Sequence, residues 1–137
     1  VPRYEVAAAV LVRDGRVLLA QRRPDDMLGG LWEFPGGKRE AGETLQECLQ
    51  RELQEELGLR VHVGEELIAF SHAYTHFQIT LHAFWCMLEE EAVPQCLGCA
   101  AWAWVQPESL DAYPLSTADR RVAAALKAAW SEKLSGN

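Results

Sequence analysis

The apolar pattern along the chain falls into short strand-like runs and two helical stripes. Residues about 5–13 and 16–22 are β-rich runs flanking Asp14-Gly15, a pair that tolerates positive φ at both positions and so predicts a hairpin. The Gly- and Pro-rich stretch RPDDMLGGLWEFPGGKREAGE follows, and within it only Leu31 to Phe34 reads as a strand. A loop of that length in a small domain is usually functional. Thr44 and Glu47 make a T-x-x-E capping box and Gly58 sits at a plausible stop, so a helix is expected over 44–58. Further strands are expected at about 60–70, 74–88 and 101–105. A last amphipathic helix is expected at about 118–134, with Val122, Ala125, Leu126 and Trp130 on its apolar side. The fold class is therefore α+β, with two main helices covering a sheet.

Composition narrows the picture. The chain has 137 residues, 49% of them apolar and 24% charged, which is the balance of one folded domain spanning 1–137. A chain of this size builds a core without disulfide staples, and five tryptophans are expected to enlarge it. No apolar run has the length of a membrane span. The start, VPRYEVAAAVLVRDG, lacks a cleavage site and alternates like a strand, so no signal peptide is expected. Four cysteines suit a reduced interior and a cytoplasmic location. Cys96 and Cys99 form a single CLGC with no second pair to complete a zinc site, and of the two readings, a metal or redox pair or loop cysteines without a role, the second is favoured. The net charge of −7 argues against a nucleic-acid partner. An anionic phosphate partner would need something other than net charge to neutralise it.

The helix over 44–58 supplies a candidate. At about 100° per residue, Leu49, Leu53 and Leu57 form one stripe with Leu45 at its edge. Glu52 and Glu56 lie to one side of it and Glu55 further round. Like charges at these spacings repel by a few tenths of a kcal/mol per pair. Arg51 is the nearby cation, and its angle places it nearer Glu47 and Glu55 than Glu52. Two readings stand: a solvated acidic face, or hard oxygen ligands for a divalent cation such as Mg²⁺ or Mn²⁺, which would then meet the phosphates.

The run Gly37, five residues, Glu43, seven residues, Arg51-Glu52-Leu53-Gln54-Glu55-Glu56-Leu57-Gly58-Leu59 resembles the Nudix box, G-x5-E-x7-R-E-U-x-E-E-x-G-U. All nine defined positions match over 23 residues. LWEFPGGK, QITLHAF and a Tyr-Pro segment near the end are similar to the MutT-type branch and to the C-terminal domain of the adenine glycosylase MutY. The resemblance implies an α/β/α sandwich with a mixed central sheet. It also implies an enzyme that cuts a pyrophosphate linkage in a nucleoside diphosphate derivative with Mg²⁺ or Mn²⁺. Carried over by position, Glu52, Glu55, Glu56 and the Gly36 carbonyl are metal ligands, and Glu52 aligns or deprotonates the water. Arg51 holds the carboxylates and Glu43 supports the loop-helix corner. Arg22 and Lys38 are phosphate contacts, while Phe34, Tyr74, His76 and Asp119 form the base pocket.

The chain departs from the MutT pattern at three places. The acidic residue expected from the loop before AAWAWV is Gly98, and the nearest acids are Glu89 to Glu91. A pocket arginine is replaced by Phe77, and an asparagine that reads the base corresponds to Asp119. The resemblance thus implies a nucleoside triphosphate pyrophosphohydrolase, of the kind that cleanses nucleotide pools, acting on a triphosphate such as 8-oxo-dGTP. The alternatives are a non-catalytic module for oxidised guanine, suggested by Tyr74-Thr75-His76, or a hydrolase of another nucleoside diphosphate conjugate. The carboxylate cluster favours an enzyme, since a module that only binds DNA has no use for it.

Overall fold

The computed structural model describes residues 1–135. A mixed sheet of seven strands comprises β1 (Arg3–Arg13), β2 (Arg16–Gln21), β3 (Trp32–Glu33), β4 (Gly36–Lys38), β5 (Val61–Ala73), β6 (Gln78–Leu88) and β7 (Ala101–Val105). The path runs β3-β2-β1-β6-β5, with β4 paired to β1 and β7 to β2. β1 and β6 run parallel, and the other pairs are antiparallel. Helix α1 (Leu45–Leu57) covers one face and α2 (Thr117–Ser135) the other, with a 3₁₀ turn at Pro107–Ala112 before it.

β1 does not alternate in burial as its start suggests. Ala7 to Leu11 are all buried, because both faces of this central strand are covered. Ala7, Ala9 and Leu11 pack with Leu49, Leu53 and Leu57 of α1. Ala8 and Val10 pack with Val122, Ala123 and Leu126 of α2. Burying each such leucine contributes about 1.5–3 kcal/mol. The five tryptophans stay at the margins: none is fully buried, and the innermost side chains are leucine and valine. Indole is too large for the narrow gap over a sheet whose central strand is rich in alanine.

The 44–58 helix forms as its signals require. The Thr44 hydroxyl accepts from the Glu47 N–H at 3.0 Å, and the Glu47 carboxylate accepts from the Thr44 N–H at 2.8 Å. Gly58 turns left-handed with φ 67° and returns its N–H to the Gln54 carbonyl at 3.0 Å. The pairing of Gly36 and Gly37 with β1, as β4, carried no apolar signature in the sequence. It places the glycines between the central strand and α1.

Candidate active site

Arg51 is the hub of the α1 carboxylates. Its Nε and Nη2 donate to both oxygens of Glu43, at 3.0 and 2.8 Å, and its Nη1 donates to Glu52 Oε1 at 2.8 Å. Glu55 accepts from the same Nη1 at 3.4 Å. The sequence angle placed Arg51 nearer Glu47 and Glu55 than Glu52. The long guanidinium instead bends toward Glu43 and Glu52, since Glu47 is committed to the capping box. Its fork holds the Glu43 carboxyl down at about 2, helped by the Glu40 N–H. Glu43 thereby fixes the loop ahead of α1.

Glu52, held by Arg51 on one side, faces Glu56 on the other. Burial, the charges of Glu52 and Glu33, and a hydrogen bond to Glu52 push the Glu56 carboxyl up to about 9. Arg22 opposes this shift. Glu52 and Glu56 thus bring two carboxyl groups together, with Glu56 paired to no cationic side chain at salt-bridge distance among the described residues, a hard-oxygen pair of the kind that fits a divalent cation. Among the described residues no three Asp, Glu, His or Cys side chains are grouped as ligands. The reason is Glu55, which is 60% exposed and turned to Arg51.

A cavity of about 540 Å³ lies on the other side of Gly36 and Gly37. Its lining includes Arg22, Glu33, Phe34, Lys38, Tyr74 and Asp119. It therefore gathers five of the six sequence-based substrate contacts. The sixth, His76, is exposed in the turn after Tyr74 and does not line the cavity. Gly36 has φ 156°, and a Cβ there would collide with the Ala7 backbone. A Cβ on Gly37 would press into the Glu52 carboxyl group. Only glycine lets this backbone pass between carboxylate and cavity.

Asp119 sits in the first turn of α2. The Ser116 hydroxyl donates to its carboxylate and accepts its N–H, each at 3.2 Å. Trp32 N–H donates to the Pro114 carbonyl at 2.9 Å, which docks the WEF segment beside α2 and brings Phe34 to Asp119. Burial, then the Glu33 charge, raise the Asp119 carboxyl to about 7 against the pull of Ser116, the Phe34 backbone and Arg22. Tyr74 faces Asp119, and its hydroxyl is raised by burial and by that charge. It enters the cavity stacked on Phe77, with ring centres 4.7 Å apart. Lys38 is exposed, with its Nζ 3.7 Å over the Tyr4 ring.

Glu33, Met27 and Leu28 were not singled out in the sequence. Glu33 is 20% exposed and accepts from Arg22 Nη1 at 2.8 Å, and burial outweighs that pairing to raise its carboxyl. The available signal was alternation on a short strand, which turns Glu33 away from the buried Phe34. Met27 and Leu28 line the cavity while remaining exposed, and Leu28 has φ 59°. The acids Glu89 to Glu91 do not reach the cavity. Glu91 instead pairs with Arg13 at 2.9 Å.

A NUDIX domain model matches residues 6–125. The chain belongs to the Nudix family. It is similar to a CTP pyrophosphohydrolase of Escherichia coli (strain K12), with 42% identity over 115 residues and 84% of each chain covered. It is 41% identical to an 8-oxo-dGTP diphosphatase of Proteus vulgaris, over 60% of this chain and 74% of that protein. The solution structure of the E. coli ORF135 protein aligns with TM-score 0.80 and 38% identity over 93% of this chain and 90% of that one. A MutT NUDIX hydrolase from Burkholderia pseudomallei shares the fold with TM-score 0.80 at 24% identity, over 92% and 99% of the two chains. The protein is thus a MutT-like Nudix hydrolase with the α+β fold expected, and Nudix hydrolases generally use divalent metals. No helix among the described residues is long and apolar enough to cross a membrane.

Proposed function

We propose that this Nudix hydrolase cleaves a nucleoside triphosphate to the monophosphate and pyrophosphate with Mg²⁺ or Mn²⁺. One observation carries the reading: the cavity wall formed by Gly36 and Gly37 is the backbone against which Glu52 rests. A nucleotide in this cavity would bring its phosphates to the carboxylates. Its volume suits a ligand of that size. Glu52, Glu56 and the Gly36 carbonyl would hold the cation, joined by Glu55 once it leaves Arg51. A bound cation would neutralise phosphate charge and make water easier to deprotonate, and Glu52 is the residue that would orient the attacking water and accept its proton. Arg22, released from Glu33, meets a phosphate, with Lys38 near the same wall. Tyr74 and Phe77 offer a stack that the base extends, beside Phe34.

The base is read at Asp119. As an ionised carboxylate it accepts two N–H groups from the Watson–Crick edge of guanine or its oxidised form, and the further N–H that oxidation adds on the imidazole side is what would set 8-oxo-dGTP above dGTP. A second reading, cytidine triphosphate, is supported by the E. coli relative named for CTP and by the raised Asp119 carboxyl. A neutral acid donates to cytosine N3 while accepting from its N4 amine. A panel of nucleoside triphosphates and diphosphate conjugates, assayed with Mg²⁺ for pyrophosphate against phosphate, tests the proposal. Pyrophosphate should appear with 8-oxo-dGTP or CTP at the highest kcat/KM. Release of phosphate alone from every triphosphate would contradict it.

A further inference from the structure

The segment from Gln95 to Cys99 closes over the C-terminal end of α1. Gln95 N–H donates to the Leu57 carbonyl, and the N–H groups of Leu97 and Gly98 both donate to the Glu56 carbonyl, each at 3.0 Å. A Cβ on Gly98 would stand 3.2 Å from Glu56 Cγ, so the loop rests on that side chain. On its other side, Arg23 Nη2 donates to the Leu97 carbonyl at 3.1 Å and Ala100 N–H to the Gln21 carbonyl at 2.9 Å. The loop therefore ties the end of α1 that carries Glu56 to the end of β2 that leads into Arg22 and Arg23. Cys96 is exposed, Cys99 is buried against the α1 side of the core, and the two thiols lie close enough to interact.

We propose that Cys96 and Cys99 form a redox-modification site, in which a hydroperoxide converts the pair to an intrachain disulfide that clamps this loop on α1 and slows turnover. The exposed Cys96 sulfur attacks the peroxide: an S–O bond forms, the O–O bond breaks, and the peroxide is reduced to an alcohol or water as Cys96 becomes a sulfenic acid. The Cys99 sulfur then attacks Cys96. The S–S bond forms, the S–O bond breaks, and the departing hydroxide leaves as water with the Cys99 proton. Drawing the two sulfurs into a covalent bond tightens the loop that lies on Glu56.

The turnover effect rests on the cation role given to Glu56 above; the disulfide does not. The test treats the reduced full chain with hydrogen peroxide, alkylates it in denaturant and reads each cysteine by mass spectrometry, with nucleotide turnover measured in parallel. Wild type should lose Cys96 and Cys99 together as free thiols while Cys48 and Cys86 remain, and dithiothreitol should restore both. Turnover should fall roughly 10- to 100-fold, as small misplacements at a reacting centre do, and recover with the thiols. Cys96→Ser should keep its Cys99 thiol and its turnover under the same peroxide. Oxidation of Cys96 with Cys99 left free, a disulfide between chains, or a disulfide with unchanged turnover would overturn the proposal. If the reduced protein turned over no nucleotide, the functional reading would fall while the thiol readout still decided the disulfide.

Discussion

A Cβ on Gly37 would stand 2.6 Å from the carboxyl carbon of Glu52. The backbone of the cavity wall and the central carboxylate of α1 are thus in direct contact, and neither moves without the other. Glu52 is pinned from behind by Arg51 Nη1 at 2.8 Å. Gly37→Ala therefore displaces the carboxylate rather than the backbone, which is fixed by pairing with Ala7. We expect kcat to fall about 10²-fold, the scale of a misplaced reacting group, with a melting temperature near wild type. Wild-type turnover in folded Gly37→Ala would show that the contact has no functional weight.

Glu52→Gln keeps the shape of the side chain and removes its charge. Turnover should fall about 10²-fold or more, as loss of a general base or cation ligand does. Circular dichroism should show the fold intact. Unchanged turnover in the folded variant would remove Glu52 from the chemistry.

The Glu56 carboxyl is destabilising where it stands, because burial and the charges of Glu52 and Glu33 disfavour its ionised form. Glu56→Gln should stabilise the cation-free protein at neutral pH, on the order of 1–3 kcal/mol after allowing for screening by water, while abolishing most activity. Chemical denaturation in the presence of a chelator checks this. A less stable variant would mean that the charge is already compensated.

Much of this arrangement was legible in the sequence, for identifiable reasons. The capping box and the Leu49, Leu53, Leu57 stripe are local signals, so α1 and the side on which its glutamates lie could be read directly. Contacts made over long separations could not. That Trp32 docks on Pro114, and so carries Phe34 to Asp119, depends on strand pairing that no local pattern encodes. Ser116 and Asp119 cap the start of α2 with the S-x-x-D spacing, a local signal that marks the helix slightly earlier than its apolar residues do. The direction of Arg51 differs from its helical angle because Cβ angles say little about where a flexible guanidinium settles among several carboxylates. His76 reads as a base contact from its neighbours in sequence, yet the turn closed by the Tyr74 N–H and Phe77 carbonyl at 2.8 Å leaves it outside the cavity.

Asp119 gives a pH dependence. Its carboxyl is raised from the ordinary 3.8 to about 7, so the folded state binds the proton more tightly than the unfolded chain between those values. Stability should therefore fall as pH rises through that window, by about 1.4 kcal/mol for each tenfold difference in proton affinity at most. Asp119→Asn should flatten this fall. Selectivity should change across the same range: the ratio of kcat/KM for CTP over 8-oxo-dGTP should decrease as pH rises through about 7 and Asp119 ionises. A ratio independent of pH, with wild-type selectivity in Asp119→Asn, would remove Asp119 from base recognition.

The claim on which the account turns is that Glu52 and Glu56 together hold a divalent cation beside the nucleotide cavity. Titration of Mn²⁺ into the nucleotide-free protein, followed by electron paramagnetic resonance, measures this without reference to turnover. Wild type should bind the ion, and Glu52→Gln and Glu56→Gln should each weaken binding by about tenfold or more, in line with the loss of one charged ligand. Equal Mn²⁺ affinity in wild type and both variants would contradict the account.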